Sequence, residues 1–137
     1  SVRFADLLAS LPNGLHDAQL RRFEMDYNRR ELTFDLDVWI GNMNADVREL
    51  YRPARLRLEN VAYLVIEPPH PDYPWDEPGE IRIDAGVGQP TQSSSKLPDA
   101  PDDASVAWMY LEDLNTFLVF AAGSASLDWS GPEYDRG

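Results

Sequence analysis

The chain has 137 residues, 43% of them hydrophobic and 11% aromatic, and its 24 carboxylates against 12 cations give a formal net charge of −12. This length fits a single domain over residues 1–137, which can bury about two thirds of the surface that the unfolded chain exposes. Because there is no cysteine, disulfides, thiolate nucleophiles and cysteine-ligated metal sites are excluded.

The excess negative charge lies in the second half of the chain. Residues 1–66 carry 9 cations and 10 carboxylates, whereas residues 67–137 carry 3 and 14. Such an acidic surface repels phosphate backbones and anionic membranes, and it speeds encounter with a basic protein. We predict no binding to nucleic acid or membrane and a basic protein as partner. The alternative is that the charge only keeps the domain dissolved.

The sequence favours a cytoplasmic protein. The longest apolar runs, such as 117–122, are too short to span a bilayer, and the N-terminus lacks a basic region followed by an apolar block. The absence of cysteine fits a reducing compartment. The sequence leaves open whether a signal peptide preceded Ser1.

The chain begins with a predicted helix and continues with a strand. Apolar residues at helical spacing predict a helix over 2–11, which the sequence Pro12-Asn13-Gly14 ends. Residues 19–27 follow as a predicted strand, in which Phe23, Met25 and Tyr27 alternate with Glu24 and Asp26, and Asn28-Arg29-Arg30 forms the turn of a predicted hairpin.

Residues 31–40 give the clearest pattern, because polar and apolar residues alternate over their whole length. A period of two predicts a strand with one buried face. The inward residues are Leu32, Phe34, Leu36, Val38 and Ile40, and the outward ones are Glu31, Thr33, Asp35, Asp37 and Trp39. The pattern thus places two carboxylates and a tryptophan side by side, away from the core.

The remaining strands are predicted from shorter patterns. Residues 54–59 alternate, and Asn60 forms a turn. The continuous apolar run 61–66 predicts a central strand covered on both faces. Further predicted strands are 80–84, 106–111, 116–122 and 125–129, the last three as a meander. The Ser, Pro and Asp-rich segment 87–105 between them is predicted to be a mobile loop.

These elements predict a mainly β, single-domain antiparallel fold. The sheet is expected to be curved, or to form a sandwich, with about eight strands and one short N-terminal helix. The predicted core consists of Leu32, Phe34, Leu36, Leu56, Leu58, Leu64, Ile66, Leu118 and Phe120.

Two carboxylate groupings suggest chemistry. His16 beside Asp17 is a pairing found in metal phosphohydrolases. Such a metal site needs further ligands, and the chain has only two histidines. The alternative is that Asp17 caps a turn while His16 packs at the start of a strand. Asp35 and Asp37, roughly 7 Å apart on one strand face, have a spacing compatible with acid/base catalysis of glycoside hydrolysis. The alternative for them is a solvated strand face.

Asn42, Asn44 and Asp46 occupy the first, third and fifth positions of a calcium-loop pattern. Val47 and Pro53 stand where that pattern requires glycine and glutamate, so an EF-hand is excluded. An irregular cation site or a solvated loop remains. We assign no catalytic residue, no metal ligand and no cofactor.

The segment 67–79 is rich in proline and aromatic residues. Five prolines stiffen it and hold His70, Tyr73 and Trp75 among carboxylates. A stiffened aromatic loop loses little entropy on binding and suits recognition of a partner. The alternative is a rigid connection that covers a sheet edge, with Trp75 packed on the sheet.

The sequences Leu15-His16-Asp17-Ala18 and Met25-Asp26-Tyr27, followed by the strand 32–40, resemble small uncharacterised bacterial β-rich proteins that include immunity proteins of toxin systems. The resemblance covers the first half of the chain and implies a non-enzymatic protein-interaction domain of the immunity or adaptor type. The other hypothesis is a small-molecule or cation-binding domain, or a weak hydrolase, that uses clustered carboxylates. Exposed edge strands also leave a homodimer open.

Overall fold

A computed structural model describes residues 1–73, 76, 79–92 and 96–137. It contains one α-helix, α1 (Phe4–Ser10), and a short 3-10 helix at Glu112–Leu114. The strands are β1 (Pro12–Leu15), β2 (Ala18–Asp26), β3 (Glu31–Trp39), β4 (Leu50–Glu59), β5 (Tyr63–Ile66), β6 (Ile81–Val87), β7 (Ser105–Leu111), β8 (Thr116–Ala122), β9 (Ser124–Trp129) and β10 (Tyr134–Asp135). Within the described residues, no helix is long and apolar enough to cross a membrane.

Nine of the strands form one antiparallel sheet. Their order is β10-β4-β3-β2-β6-β7-β8-β5, and β9 also pairs with β4, alongside β10. This confirms the predicted fold class, a mainly β single domain with one short N-terminal helix, although the sheet has nine strands rather than about eight. The turn at residues 28–30 is also confirmed, since Asp26 pairs with Glu31 across it.

The sheet curls so that its inner face packs against itself. Four strand spacings separate β3 from β8 in the sheet order, and a flat sheet would hold them roughly 19 Å apart. The rings of Phe34 on β3 and Phe120 on β8 nevertheless lie 6.2 Å apart, centroid to centroid. Phe4 of α1 packs at 5.5 Å on the same Phe120 ring. The core therefore lies inside the curl, and α1 fills part of it.

A β-bulge in β2 keeps the apolar residues of this strand on the inner face. The apolar sequence changes phase in the middle of the strand, with Ala18 and Leu20 before the break and Phe23 and Met25 after it. The pairing with β3 shifts between Leu20 and Arg22, so Arg21 is the extra residue. A bulge of one residue restores the alternation. As a result, two consecutive arginines lie on the outer face, the side of the sheet away from the core.

Strand β4 begins at Leu50 rather than at the predicted residue 54, and it includes Pro53. A proline inside a strand removes a donor from the ladder. The Pro53 carbonyl accepts a hydrogen bond from Ser130 N at 2.9 Å, so its backbone faces the side where β9 ends. There the partner of β4 changes from β9 to β10. No bond to β3 is lost, which explains why the strand tolerates this proline.

The prediction of a central strand at 61–66 is wrong. β5 is the last strand in the sheet order, and Ile66, expected in the core, is 59% exposed. Leu64 is only partly buried. The continuously buried strand is instead β8, in which all seven residues are buried. An apolar run of four to six residues does not distinguish a central strand from an edge strand whose faces are half covered. The other seven predicted core residues are buried.

The predicted C-terminal meander is confirmed for β7 and β8 and wrong for β9. β7 and β8 pair across the turn at Glu112–Leu114, with Asn115 at a φ of 49°. β9 pairs with β4 instead. Because the curl brings the ends of β4 and β8 together, the chain crosses at Gly123, whose N–H donates to Glu59 O at 2.9 Å. A short turn in the sequence does not show this crossing.

Ile66 and Leu118 are register partners with opposite burial, and they test this arrangement. We expect Leu118→Ala to lower the free energy of unfolding by about 2–5 kcal/mol, since it leaves a cavity in the core. Ile66→Ala should cost about 0.5 kcal/mol, as at an exposed site. Urea unfolding monitored by circular dichroism measures both. Equal losses would contradict the edge position of β5.

Candidate functional site

Asp37 is fully covered on the outer face and is bound by an arginine. Its side chain is 1% exposed. Arg21, presented by the bulge in β2, donates from Nε to Asp37 Oδ2 at 2.7 Å and also contacts this oxygen through Nη2. The hydrogen bond to Asp37 raises the pKa of Arg21 above its ordinary value, against the opposing effect of burial. This carboxylate is therefore held in an ion pair and is not displayed to solvent.

Asp35 is shared between two arginines on the neighbouring strands. Arg22 Nε lies 3.4 Å from Asp35 Oδ2, and Arg55 Nε donates to Asp35 Oδ1 at 3.0 Å. Arg22 also contacts Glu24 at 3.1 Å. We call Arg21, Arg22, Arg55 and Arg57 the arginine ladder, since they line β2 and β4 on either side of the β3 carboxylates. Acid/base catalysis requires one carboxyl group that is available to exchange a proton. Here both aspartates are paired with guanidinium groups.

Trp39 anchors the loop that follows β3. Its side chain is largely buried, and the indole Nε1 donates to Arg48 O at 2.6 Å. Gly41 is needed beside it, because a Cβ at that position would lie 1.9 Å from Arg48 O. Trp39 therefore joins the start of the loop to its end, and this contact explains why the Trp39 side chain is buried although it lies on the outer face. It does not offer an open stacking surface to a sugar.

The loop held by Trp39 contains the residues of the calcium-like pattern. Asn42 Oδ1 accepts a hydrogen bond from Asn44 N at 2.8 Å, which uses this oxygen for a local turn. Asn42, Asn44 and Asp46 are all exposed. Among the described residues, no group of three or more His, Cys, Asp or Glu side chains could hold a metal ion.

His16 and Asp17 form the turn between β1 and β2. Asp17 has a φ of 58°, and its carbonyl accepts a hydrogen bond from the Tyr51 hydroxyl at 3.1 Å. His16 Nδ1 lies 3.6 Å from Asp84 Oδ2, and its ring centroid lies 6.3 Å from that of Trp39. The structure therefore joins this pair to Asp84 rather than to the β3 carboxylates. The turn position accounts for Asp17, while about half of the His16 side chain remains exposed.

The first part of the proline-rich segment is docked along β8. His70 N donates to Leu114 O at 2.9 Å, and Tyr73 N donates to His70 O at 3.0 Å. Glu67 Oε1 accepts a hydrogen bond from Phe117 N at 3.0 Å. His70 and Tyr73 thus belong to a connection that lies beside the outer face of β7 and β8. The predicted site residue Trp75 lies outside the described residues.

A groove with an aromatic floor lies between this connection and the segment after β6. Two adjoining cavities of about 410 and 530 Å³ have Gln92, Tyr110 and Phe117 in common among their lining residues. We call the two together the aromatic groove. Its floor consists of Trp108, Tyr110 and Phe117, Asp84 lies at one end, and Glu67 and three prolines line the other. It runs over the outer face of β6, β7 and β8.

The floor of the aromatic groove is rigidly built. The Phe117 ring lies 5.7 Å from Trp108 and 4.9 Å from Tyr110, centroid to centroid. Trp108 lies across Gly86, its register partner, where a Cβ would come within 2.4 Å of the indole. The Tyr110 hydroxyl donates to Asn115 Oδ1. Glycine is therefore required at position 86 for the tryptophan to lie flat.

Neither the groove nor the ladder was predicted, although the sequence contains a signal for each. Residues 105–111 alternate, and their outward positions include Trp108 and Tyr110, where a solvated face would be polar. The phase break in β2 indicated a bulge at Arg21 or Arg22. Only pairing across strands could show that the arginines face Asp35 and Asp37.

The C-terminal residues pack on the outer face at the start of β4, away from the aromatic groove. β10 pairs with β4 at Tyr51, and Arg136 lies 5.2 Å from the centroid of the Tyr51 ring. Burial raises the pKa of Tyr51, and nearby Glu49 and Asp17 raise it further. Arg136 also contacts Glu80, and this hydrogen bond lowers the pKa of the Glu80 carboxyl below its ordinary value.

No protein-family model matches the sequence, and no curated protein matches it. Among solved structures, the chain is similar to one described as an uncharacterised protein from Neisseria gonorrhoeae, at 12% sequence identity. The similarity covers 82% of this chain and 91% of that one, with a TM-score of 0.45. A likeness at this level carries no information about function.

Arg21→Ala should lower the free energy of unfolding by about 2–3 kcal/mol, because it leaves the Asp37 charge covered and without its partner. The loss falls below that for a fully buried pair, since the Arg21 side chain is 61% exposed and water can replace it. Arg22→Ala, the control, breaks exposed pairs and should cost less than about 1 kcal/mol. Chemical unfolding of both variants measures the difference, and similar losses would contradict the structural role assigned to Asp37.

The contact between Glu80 and Arg136 predicts that the free energy of unfolding depends on pH in the acidic range. Because the pKa of Glu80 is lower in the folded state, its contribution is complete well above the ordinary pKa of a glutamate, 4.5. The contribution disappears as the pH falls through the folded pKa. Glu80→Gln should therefore lower stability at pH 7 by less than about 1 kcal/mol, as for an exposed pair. Wild type and variant should converge below pH 4, in unfolding curves measured across that range. A constant difference at all pH values would contradict this pairing.

Proposed function

We propose that the chain is a non-enzymatic protein-interaction domain, of the immunity or adaptor type, whose acidic second half binds a basic protein. The observation that carries this proposal is that arginines of this chain form ion pairs with its own carboxylates. Within the described residues, seven arginines form ion pairs with carboxylates of the same chain: Arg3, Arg21, Arg22, Arg55, Arg57, Arg82 and Arg136.

The remaining negative charge is concentrated in connections of the second half. The segment between β6 and β7 carries Asp99, Asp102 and Asp103, all exposed and without an ion pair in the described part of the chain. Because the arginines already neutralise carboxylates of the sheet, few cations remain to offset this charge. A surface of one sign steers a partner of the opposite sign and increases the rate of association.

The ion pairs also bear on the choice between the two hypotheses. A hydrolase built on Asp35 and Asp37 would require at least one free carboxyl group, and both carry arginine partners. The same contacts account for these residues as parts of the sheet. A binding role needs no such group, and it agrees with the rigid groove beside the acidic segments.

The test is retention of a basic protein from a lysate of the natural host on the immobilised chain at about 50 mM salt, with identification by mass spectrometry. We expect release at about 500 mM salt, where charges are screened within a few ångströms. Association that does not depend on salt, or no retained basic protein, would count against the proposal.

Two variants with equal charge change make this test specific. The first neutralises the second half with the substitutions Asp99→Asn, Asp102→Asn and Asp103→Asn. The second neutralises exposed residues of the first half with the substitutions Asp6→Asn, Asp46→Asn and Glu49→Gln. We expect the first variant to lose most of the association and the second to retain it. Equal effects would mean that only net charge matters.

A further inference from the structure

We propose that the aromatic groove binds an arginine or lysine side chain of the partner protein, with Asp84 as its counter-charge. This inference rests on the proposed function and adds the place and the chemistry of recognition. The groove lies on the outer face of β6, β7 and β8, apart from the arginine ladder on β2 and β4.

The floor offers ring faces to a cation. Trp108 and Tyr110 are partly exposed, while Phe117 on the neighbouring strand is 7% exposed and packs against both rings. A cation within about 6 Å of an aromatic centroid is attracted by the negative face of the ring, most strongly for tryptophan. An extended guanidinium or ammonium side chain that enters this groove would meet two such faces.

The charges around the groove select a cation over other ligands. Asp84 lines one end, with its side chain 42% exposed, and Glu67 lines the other. None of the described lining residues is an arginine or lysine. An anion would be repelled by these carboxylates. A purely apolar segment would cover Asp84 without adding a partner to the His16 ring and the Ala85 N–H that it already contacts, which costs desolvation of the charge without compensation.

The groove is prepared for binding before a ligand enters. Gly86 lets Trp108 lie flat, and the hydrogen bond to Asn115 fixes Tyr110. The Glu67 side chain and the His70 backbone fasten the proline-rich side to β8 and to the turn before it. Asp84 Oδ1 accepts a hydrogen bond from Ala85 N at 2.8 Å, which orients the carboxylate. A site with few side chains left to order loses less entropy on binding.

The experiment is a titration of the ¹⁵N-labelled chain with the acetylated and amidated peptide Gly-Arg-Gly, followed by NMR. The matched peptide Gly-citrulline-Gly has nearly the same shape without the charge. We expect shift changes at the Trp108 indole N–H and at the backbone of residues 84, 108 and 110. The citrulline peptide should produce none. The Trp108 indole signal is assigned by its loss in Trp108→Phe.

Four variants separate the groove from general attraction to an acidic protein. Asp84→Asn keeps the acceptor for Ala85 N and should weaken peptide binding at least about fivefold, as expected for loss of a charge-assisted contact. Asp128→Asn makes the same change of charge on β9, outside the groove, and should change binding less than about twofold. Tyr110→Leu should weaken binding, whereas Tyr110→Phe, which keeps the ring, should retain most of it.

The possible failures are distinguishable. Shift changes spread over the acidic surface, or equal effects of Asp84→Asn and Asp128→Asn, would overturn the groove as the site. The proposed function would still stand if a basic partner is retained and released by salt. Conversely, peptide binding in the groove without any retained basic protein would support this site and leave the protein-interaction role without support.

Discussion

The packing of Phe34 against Phe120 is the contact on which the rest of the structure depends. It joins the inner faces of β3 and β8, which lie far apart in the strand order. Within the described residues the one α-helix has only seven residues and is too small to cover the inner face, so the sheet buries these rings by curling onto itself. The curl then brings the end of β8 next to β4, and β9 follows from that closeness.

The convex outer face of the curled sheet has two regions, which carry different kinds of side chain. On β2, β3 and β4 the outward positions carry arginines and carboxylates that neutralise one another. On β6, β7 and β8 they carry aromatic rings beside Asp84. On β2, β3 and β4 the carboxylates are paired with arginines of the same chain. On β6, β7 and β8 the Asp84 carboxylate is partly exposed beside the aromatic rings. We therefore propose that recognition occurs on the half of the face that these ion pairs do not occupy.

Local patterns predicted α1 and the strands β2 to β9, but they predicted neither the short strands β1 and β10 nor all of the strand partners. The alternation in 31–40 correctly predicted which side chains of β3 point inward, and the turn residues correctly predicted both hairpins. The edge position of β5 and the pairing of β9 with β4 depend on the curl, which no segment encodes alone. The candidate site followed the same rule. Asp37 was recognised as outward-facing, but its burial comes from Arg21, sixteen positions away, through a bulge.

The position of β5 at the end of the sheet also affects how folded copies of this chain meet one another. An open strand edge can template pairing with another chain and so lead to aggregation. This edge is only four residues long, and Pro68 and Pro69 follow shortly after Ile66. Proline supplies no N–H, so a ladder started on β5 could not be extended through them. The net charge of −12 also opposes close approach of two copies, so in the described part of the chain the edge at β5 is poorly suited to pair with a second molecule.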